Sequence, residues 1–121
     1  MSDTPTHFAA DLARLRSFLA SNGSDDSPWI LTHTMLFRTK GALTKTQTIL
    51  EASGLFGATV DKTGGPLPWF LDLCENVAPD IDVITARVTA VVQALPSSSK
   101  DADYNGFSLI HLDAKRPEFR T

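Results

Sequence analysis

A chain of 121 residues, 42% hydrophobic and 21% charged, has the composition of one ordinary globular domain and the length to bury a core without disulfides or a structural metal. Eleven Lys and Arg against fourteen Asp and Glu give a net charge of -3, which excludes the broad positive field of a non-specific nucleic-acid clamp. The single cysteine, Cys74, excludes an intramolecular disulfide and any multi-cysteine zinc or iron–sulfur site, and it fits a reducing compartment.

The opening Met-Ser-Asp-Thr-Pro-Thr-His-Phe has neither the positive nor the apolar region of a secretory signal. No run approaches the roughly 18 apolar residues of a membrane span. The expectation is a soluble, cytoplasmic, bacterial-type protein with no membrane partner.

Residues 5–21 place Phe8, Leu12, Leu15 and Leu19 on one stripe, widened by Phe18, which is the period of an amphipathic helix. Thr4 and Pro5 suit its start and Asn22-Gly23 its end. Ser24 to Pro28 reads as a turn. Residues 29–37 are rich in β-formers, with Trp29, Leu31, Met35 and Phe37 on one face, and predict the first strand. Leu43, Ile49 and Leu50 form the stripe of a second helix that stops at Gly54.

Leu55 to Asp61 predicts a short strand, and Lys62-Thr63-Gly64-Gly65-Pro66 the turn of a hairpin. A third strand follows at 67–75, where Leu67, Trp69, Leu71 and Leu73 alternate with Pro68, Phe70, Asp72 and Cys74. From Asp80, the spacing of Ile81, Ile84, Val88, Val91, Val92 and Leu95 predicts a third helix, with Asp80 and Asp82 at its positive end. It stops at Pro96. Tyr104 to Leu112 reads as a last strand, broken by a bulge or turn at Asn105-Gly106. The mixed-sign tail 113–121 is expected to be mobile.

The order predicts a single α+β domain over residues 1–121. Its heart, residues 29–112, is a ferredoxin-like β-α-β-β-α-β sandwich with a four-stranded antiparallel sheet, preceded by the extra helix 5–21. Asn-Gly before the apolar alternation of Phe107 and Leu109 places Gly106 at a positive φ or under a close neighbour, with Tyr104 covering it from the same side.

No catalytic, cofactor or metal constellation stands out. His7, His33 and His111 lack metal-ligand spacing. His33 and His111 become neighbours only if the first and last strands pair, and a His pair with Cys74 is the sharper alternative; packed core histidines are the simpler reading. Cys74 lies beside Asp72 and Glu75, which raise rather than lower a thiol pKa. Asp80 and Asp82 read as helix-start residues rather than as an acid pair or Mg²⁺ cluster with Asp72 and Glu75. Gly64-Gly65 lacks the Lys-Ser/Thr of a phosphate loop. Trp29, Phe37 and Trp69 form a core face, whereas Phe70 shares its face with Pro68, Asp72 and Cys74 and is expected at the surface.

Three stretches resemble the family of bacterial regulators of ribonuclease E activity B, small inhibitors of an endoribonuclease that drives RNA decay. Leu19 to Asp25 is similar to the family's helix end and acidic Gly-Ser-Asp turn, leading to a strand with a histidine near His33. Gly54 to Val60 and Pro79 to Ile84 resemble its entries into a short strand and the last helix. Asp103-Tyr104-Asn105-Gly106-Phe107 looks like its Tyr-Asp-Gly-Trp signature.

The resemblance implies a non-enzymatic regulator that binds another protein, ribonuclease E, without cofactor, metal or direct nucleic-acid contact. It points to Asp25, Asp26, Asp103, Tyr104, Asn105, Gly106 and Phe107 as an acidic, aromatic-bearing contact set. The alternative is a ligand- or RNA-binding domain using the Phe70 face, for which Arg38, Lys40, Lys45 and Lys62 are the nearby cations. A third reading, an enzyme using His33 or His111 as acid or base, rests on strand adjacency alone.

Overall fold

The computed structural model describes residues 8–22, 28–113 and 115–121. In chain order they form α1 (Phe8–Asn22), β1 (Trp29–Phe37), α2 (Lys40–Ala52), β2 (Phe56–Lys62), β3 (Trp69–Val77), α3 (Ile81–Ala94), β4 (Ala102–His111) and β5 (Phe119–Arg120). The fold is α+β, and its antiparallel sheet has five strands in the order β2-β3-β1-β4-β5. Asp25, Asp26 and the start of the predicted first helix lie outside the described residues.

β1 holds the centre of the sheet, paired along its whole length with β3 on one side and β4 on the other. Its alternation is realised without a slip: Trp29, Leu31, His33, Met35 and Phe37 face inward and are buried, while Ile30, Thr32, Thr34 and Leu36 face the other way. The inward face meets α2 and α3, and α1 packs on α3. All three helices contribute to one core: Leu15 and Leu19 from α1, Leu43 and Leu50 from α2, and Ile84, Val88 and Val91 from α3. Each such side chain contributes about 1.5–3 kcal/mol on burial.

The helix starts follow the sequence. Thr39 Oγ1 accepts from the Ala42 N–H at 3.1 Å, capping α2. Asp80 Oδ1 accepts from the Asp82 and Val83 N–H groups at 2.8 and 3.1 Å, capping α3 as its position predicts. Ile49 departs from its predicted stripe and is 45% exposed. The buried line of α2 runs through Leu43, Thr46 and Leu50, and a residue one place before Leu50 is turned about 100° away from it.

Two expectations are corrected. The sheet is five-stranded, not four-stranded, because the tail expected to be mobile ends as β5, pairing Ser108 with Arg120 and Leu109 with Phe119. A lone aromatic among Lys115, Arg116, Glu118 and Arg120 gives no periodic signal. Phe119 is nonetheless buried, with its ring 5.8 Å from Phe107 and 5.7 Å from Phe18, and that contact fixes the segment.

The bulge predicted at Asn105-Gly106 is present within β4, which starts at Ala102 and pairs on both sides of it; the second correction concerns what the bulge does to the faces of the strand. Its partner register steps from Met35↔Tyr104 to Thr34↔Gly106, leaving Asn105 as the extra residue of a bulge. That extra residue inverts the alternation, so Tyr104 and Gly106 point to opposite faces rather than to the same side. Gly106 adopts φ +149°, and the Thr121 hydroxyl occupies the space a Cβ would take. The positive φ predicted for this glycine is present.

Candidate functional site

The most chemically distinctive group lies inside the sandwich, where β1, β3 and β4 present His33, Glu75 and Tyr104 to the helix side. His33 Nε2 is 2.7 Å from Glu75 Oε2, and its Nδ1 is 2.6 Å from the Tyr104 hydroxyl. Arg87 on α3 donates from Nε to Glu75 Oε1 at 2.7 Å. A carboxylate only accepts, so His33 donates through Nε2–H and takes the Tyr104 O–H at Nδ1. A neutral imidazole satisfies the whole chain.

The electrostatics agree with that assignment. Burial pushes the His33 imidazole below its ordinary value of 6.5, outweighing the pull of the Glu75 carboxylate, and Arg87 adds to the lowering. Burial also acts to raise Glu75, but the hydrogen bonds and charges of His33 and Arg87 outweigh it and hold the carboxyl below 4.5. Burial, together with the Glu75 charge, lifts the Tyr104 phenol well above 10.

At neutral pH the quartet is therefore neutral Tyr, neutral His, anionic Glu and cationic Arg. His33 is 0% exposed with both ring nitrogens engaged, and a raised phenol pKa is the reverse of nucleophile activation. The arrangement holds three strands to α3 and presents no reactive atom to a substrate.

The sequence did not single out Glu75 and Arg87 as partners of His33. A signal was present: Glu75 continues the inward alternation of Leu71 and Leu73, and an inward carboxylate requires a donor.

The opposite face of the sheet carries no helix among the described residues. The register lays its side chains out in rows. Asp61, Phe70, Leu36 and Asp103 form the first; Thr59, Asp72, Thr34 and Gly106 the second; Phe56, Cys74, Thr32, Ser108 and Arg120 the third. Thr34 donates to Asp72 Oδ1 at 2.6 Å, and Thr32 Oγ1 lies 3.4 Å from Cys74 Sγ. Arg120 is paired with Glu118 at 2.9 Å. Asp61, Asp72 and Asp103 have no ion pair among the described residues.

The sequence-predicted contact set is divided by this geometry. Asp103 and Asn105 are exposed on β4, whereas Tyr104 and Phe107 are buried, one bonded to His33 and the other stacked on Phe119. Asp101, beside them in sequence, is taken by Arg38 at 2.6 Å.

β1 and β4 do pair, but His33 lies opposite Phe107 and His111 opposite Trp29. The two histidines are not neighbours, and Cys74 belongs to the other face. Among the described residues no three His, Cys, Asp or Glu side chains are grouped to hold a metal ion. No helix among them is long and apolar enough to cross a membrane.

Comparison of the chain with protein-family models, with curated proteins and with solved structures finds no match.

Proposed function

We propose that the protein is a non-enzymatic regulator that docks a basic partner polypeptide on the uncovered face of its sheet, the partner being an RNA-decay endoribonuclease of the ribonuclease E type. The carrying observation is the row Asp61, Phe70, Leu36, Asp103, an apolar centre between two carboxylates, with the Asp72 carboxylate in the row below. Protein interfaces combine an apolar core with a polar rim. Carboxylates without ion pairs favour Lys- and Arg-rich partners and repel acidic ones. The sequence resemblance supplies the identity of the partner. In this reading Asp103 and Asn105 touch the partner, while Tyr104, Gly106 and Phe107 shape the strand that presents them.

The same reading takes the first four strands as ferredoxin-like. Their order β2-β3-β1-β4, with every neighbour antiparallel, supports it, and β5 is an addition at the edge. The RNA-binding alternative uses the same face and is disfavoured by charge. The Lys40 and Lys62 ammonium groups lie 5.5 and 5.2 Å over the Trp69 ring, which sits on the helix side in register with Phe37. Phosphates on the Phe70 face would meet Asp61, Asp72 and Asp103 instead.

The test is direct binding of purified protein to purified ribonuclease, with an RNA-cleavage assay at tenfold excess. The expected result is slowed cleavage, and at least about tenfold weaker binding for Asp61→Lys combined with Asp103→Lys, mainly through a slower on-rate. Absence of both binding and inhibition by the parent protein would refute the ribonuclease reading. Salt-dependent binding of short RNA that survives the charge reversal would replace it with the alternative.

A further inference from the structure

The helix side of the molecule contains a second feature, unrelated to the sheet face. A cleft of about 480 Å³ opens where the first half of α2 meets the end of α3 and the loop leading to β4. That volume lies within the roughly 300–1,000 Å³ of small-molecule sites. Its apolar wall is Ala42, Ile49, Ala94, Leu95 and Pro96; its polar lining includes Arg38, Lys45, Thr46 and Asp101.

Three observations give the cleft a chemistry. Thr46 is only 2% exposed and lines the cleft; its hydroxyl has no hydrogen-bond partner among the described residues, yet it is not among their fully enclosed unpartnered atoms, so it remains open to a ligand. Lys45 has no ion pair among the described residues, and the first turn of α2 contains no acidic residue to offset the positive end of its dipole. Ile49 leaves 45% of its surface exposed at this wall, an apolar area that a ligand body would cover.

Asp101 sets the sign and size of the charge the cleft accepts. It holds Arg38 through Nη2 and Nε at 2.6 and 2.9 Å, and a guanidinium with five donors keeps others free. Its own carboxylate lies in the lining, however, so Arg38, Lys45 and Asp101 together carry a net charge of +1, which a single carboxylate neutralises.

We infer that this cleft binds a small organic monoanion, with a carboxylate head at Arg38, Lys45 and Thr46 and an aromatic or medium-chain hydrocarbon body against Ile49, Leu95 and Pro96. The site is separate from the sheet face, so it stands or falls independently of the ribonuclease reading.

The experiment titrates the ¹⁵N-labelled full chain with phenylacetate and octanoate and follows the backbone amides. Acetate serves as a head without a body, 2-phenylethanol as a body without a charge, and inorganic phosphate as a multiply charged head. The expected result is a saturable shift confined to residues 39–49 and 94–101. Phenylacetate should bind at least about tenfold more tightly than acetate, 2-phenylethanol or phosphate.

Arg38→Gln and Lys45→Gln, both at exposed positions that leave the fold intact, should each weaken phenylacetate about fivefold, and Thr46→Val should do so as well. The inference is overturned if neither carboxylate gives a saturable shift up to about 10 mM. It is equally overturned if 2-phenylethanol or phosphate matches phenylacetate, or if Arg38→Gln and Lys45→Gln bind like the parent.

Discussion

Truncating Glu75 to alanine tests the buried quartet most directly. The carboxylate takes one hydrogen bond from His33 and one from Arg87, both at 2.7 Å. The two donors respond differently to its loss. Arg87 is 34% exposed and can turn its guanidinium to water, so its share is at most about 1 kcal/mol. His33 is 0% exposed, and its Nε2–H would be left buried without an acceptor, which costs about 1–3 kcal/mol.

With the lost packing of the side-chain stem included, Glu75→Ala should destabilise the fold by about 2–4 kcal/mol. That is a large part of the roughly 6–18 kcal/mol available to a domain of this length. Urea unfolding followed by circular dichroism at pH 7.5 measures it. Arg87→Gln should cost no more than about 1 kcal/mol, because Glu75 keeps His33. Adding His33→Leu and Tyr104→Phe to Glu75→Ala removes the orphaned imidazole donor together with the phenol that would otherwise lose its acceptor, and should restore about 1–2 kcal/mol. If Glu75→Ala costs no more than Arg87→Gln, or if the triple variant is no more stable than Glu75→Ala alone, the imidazole is not held as described.

Acid should weaken the fold in two steps. His33 and Glu75 are both held below their ordinary values, so the unfolded chain binds more protons than the folded one. Stability contributed by His33 is present above pH 6.5 and is lost as the pH falls below it; loss from Glu75 follows below about 4.5. Each group gives a slope of at most about 1.4 kcal/mol per pH unit. Urea midpoints at pH 7.5, 6.5 and 5.5 should decline for the parent and decline less for His33→Leu; equal profiles would refute this. Gly106→Val should cost about 1–3 kcal/mol, because it combines a backbone conformation that L side chains resist with a collision at Thr121. A Gly106→Val protein melting within about one degree of the parent would show an unstrained position.

The sequence by itself determined every element whose side chains repeat with a local period. The inward face of β1, the helical stripes of Leu15 and Leu19 and of Ile84, Val88 and Val91, the Asp80 cap and the Gly64-Gly65 hairpin were all legible, because a helix or strand buries one face and writes that face into neighbouring residues. Gly106 was legible for a similar reason: the conformational freedom it requires is a property of the residue itself. What lay beyond the sequence depends on partners far along the chain. Phe119 has no periodic neighbours, and only the fold brings Phe18 and Phe107 to it. Asn105 becomes the extra residue of a bulge only against the register of β1, and that decides that Tyr104 points inward rather than toward a partner. Glu75, His33, Tyr104 and Arg87 come from β3, β1, β4 and α3. Their pairing exists because the sheet order brings separate inward carboxylate, imidazole and phenol groups within hydrogen-bond distance, a three-dimensional coincidence that no local pattern encodes.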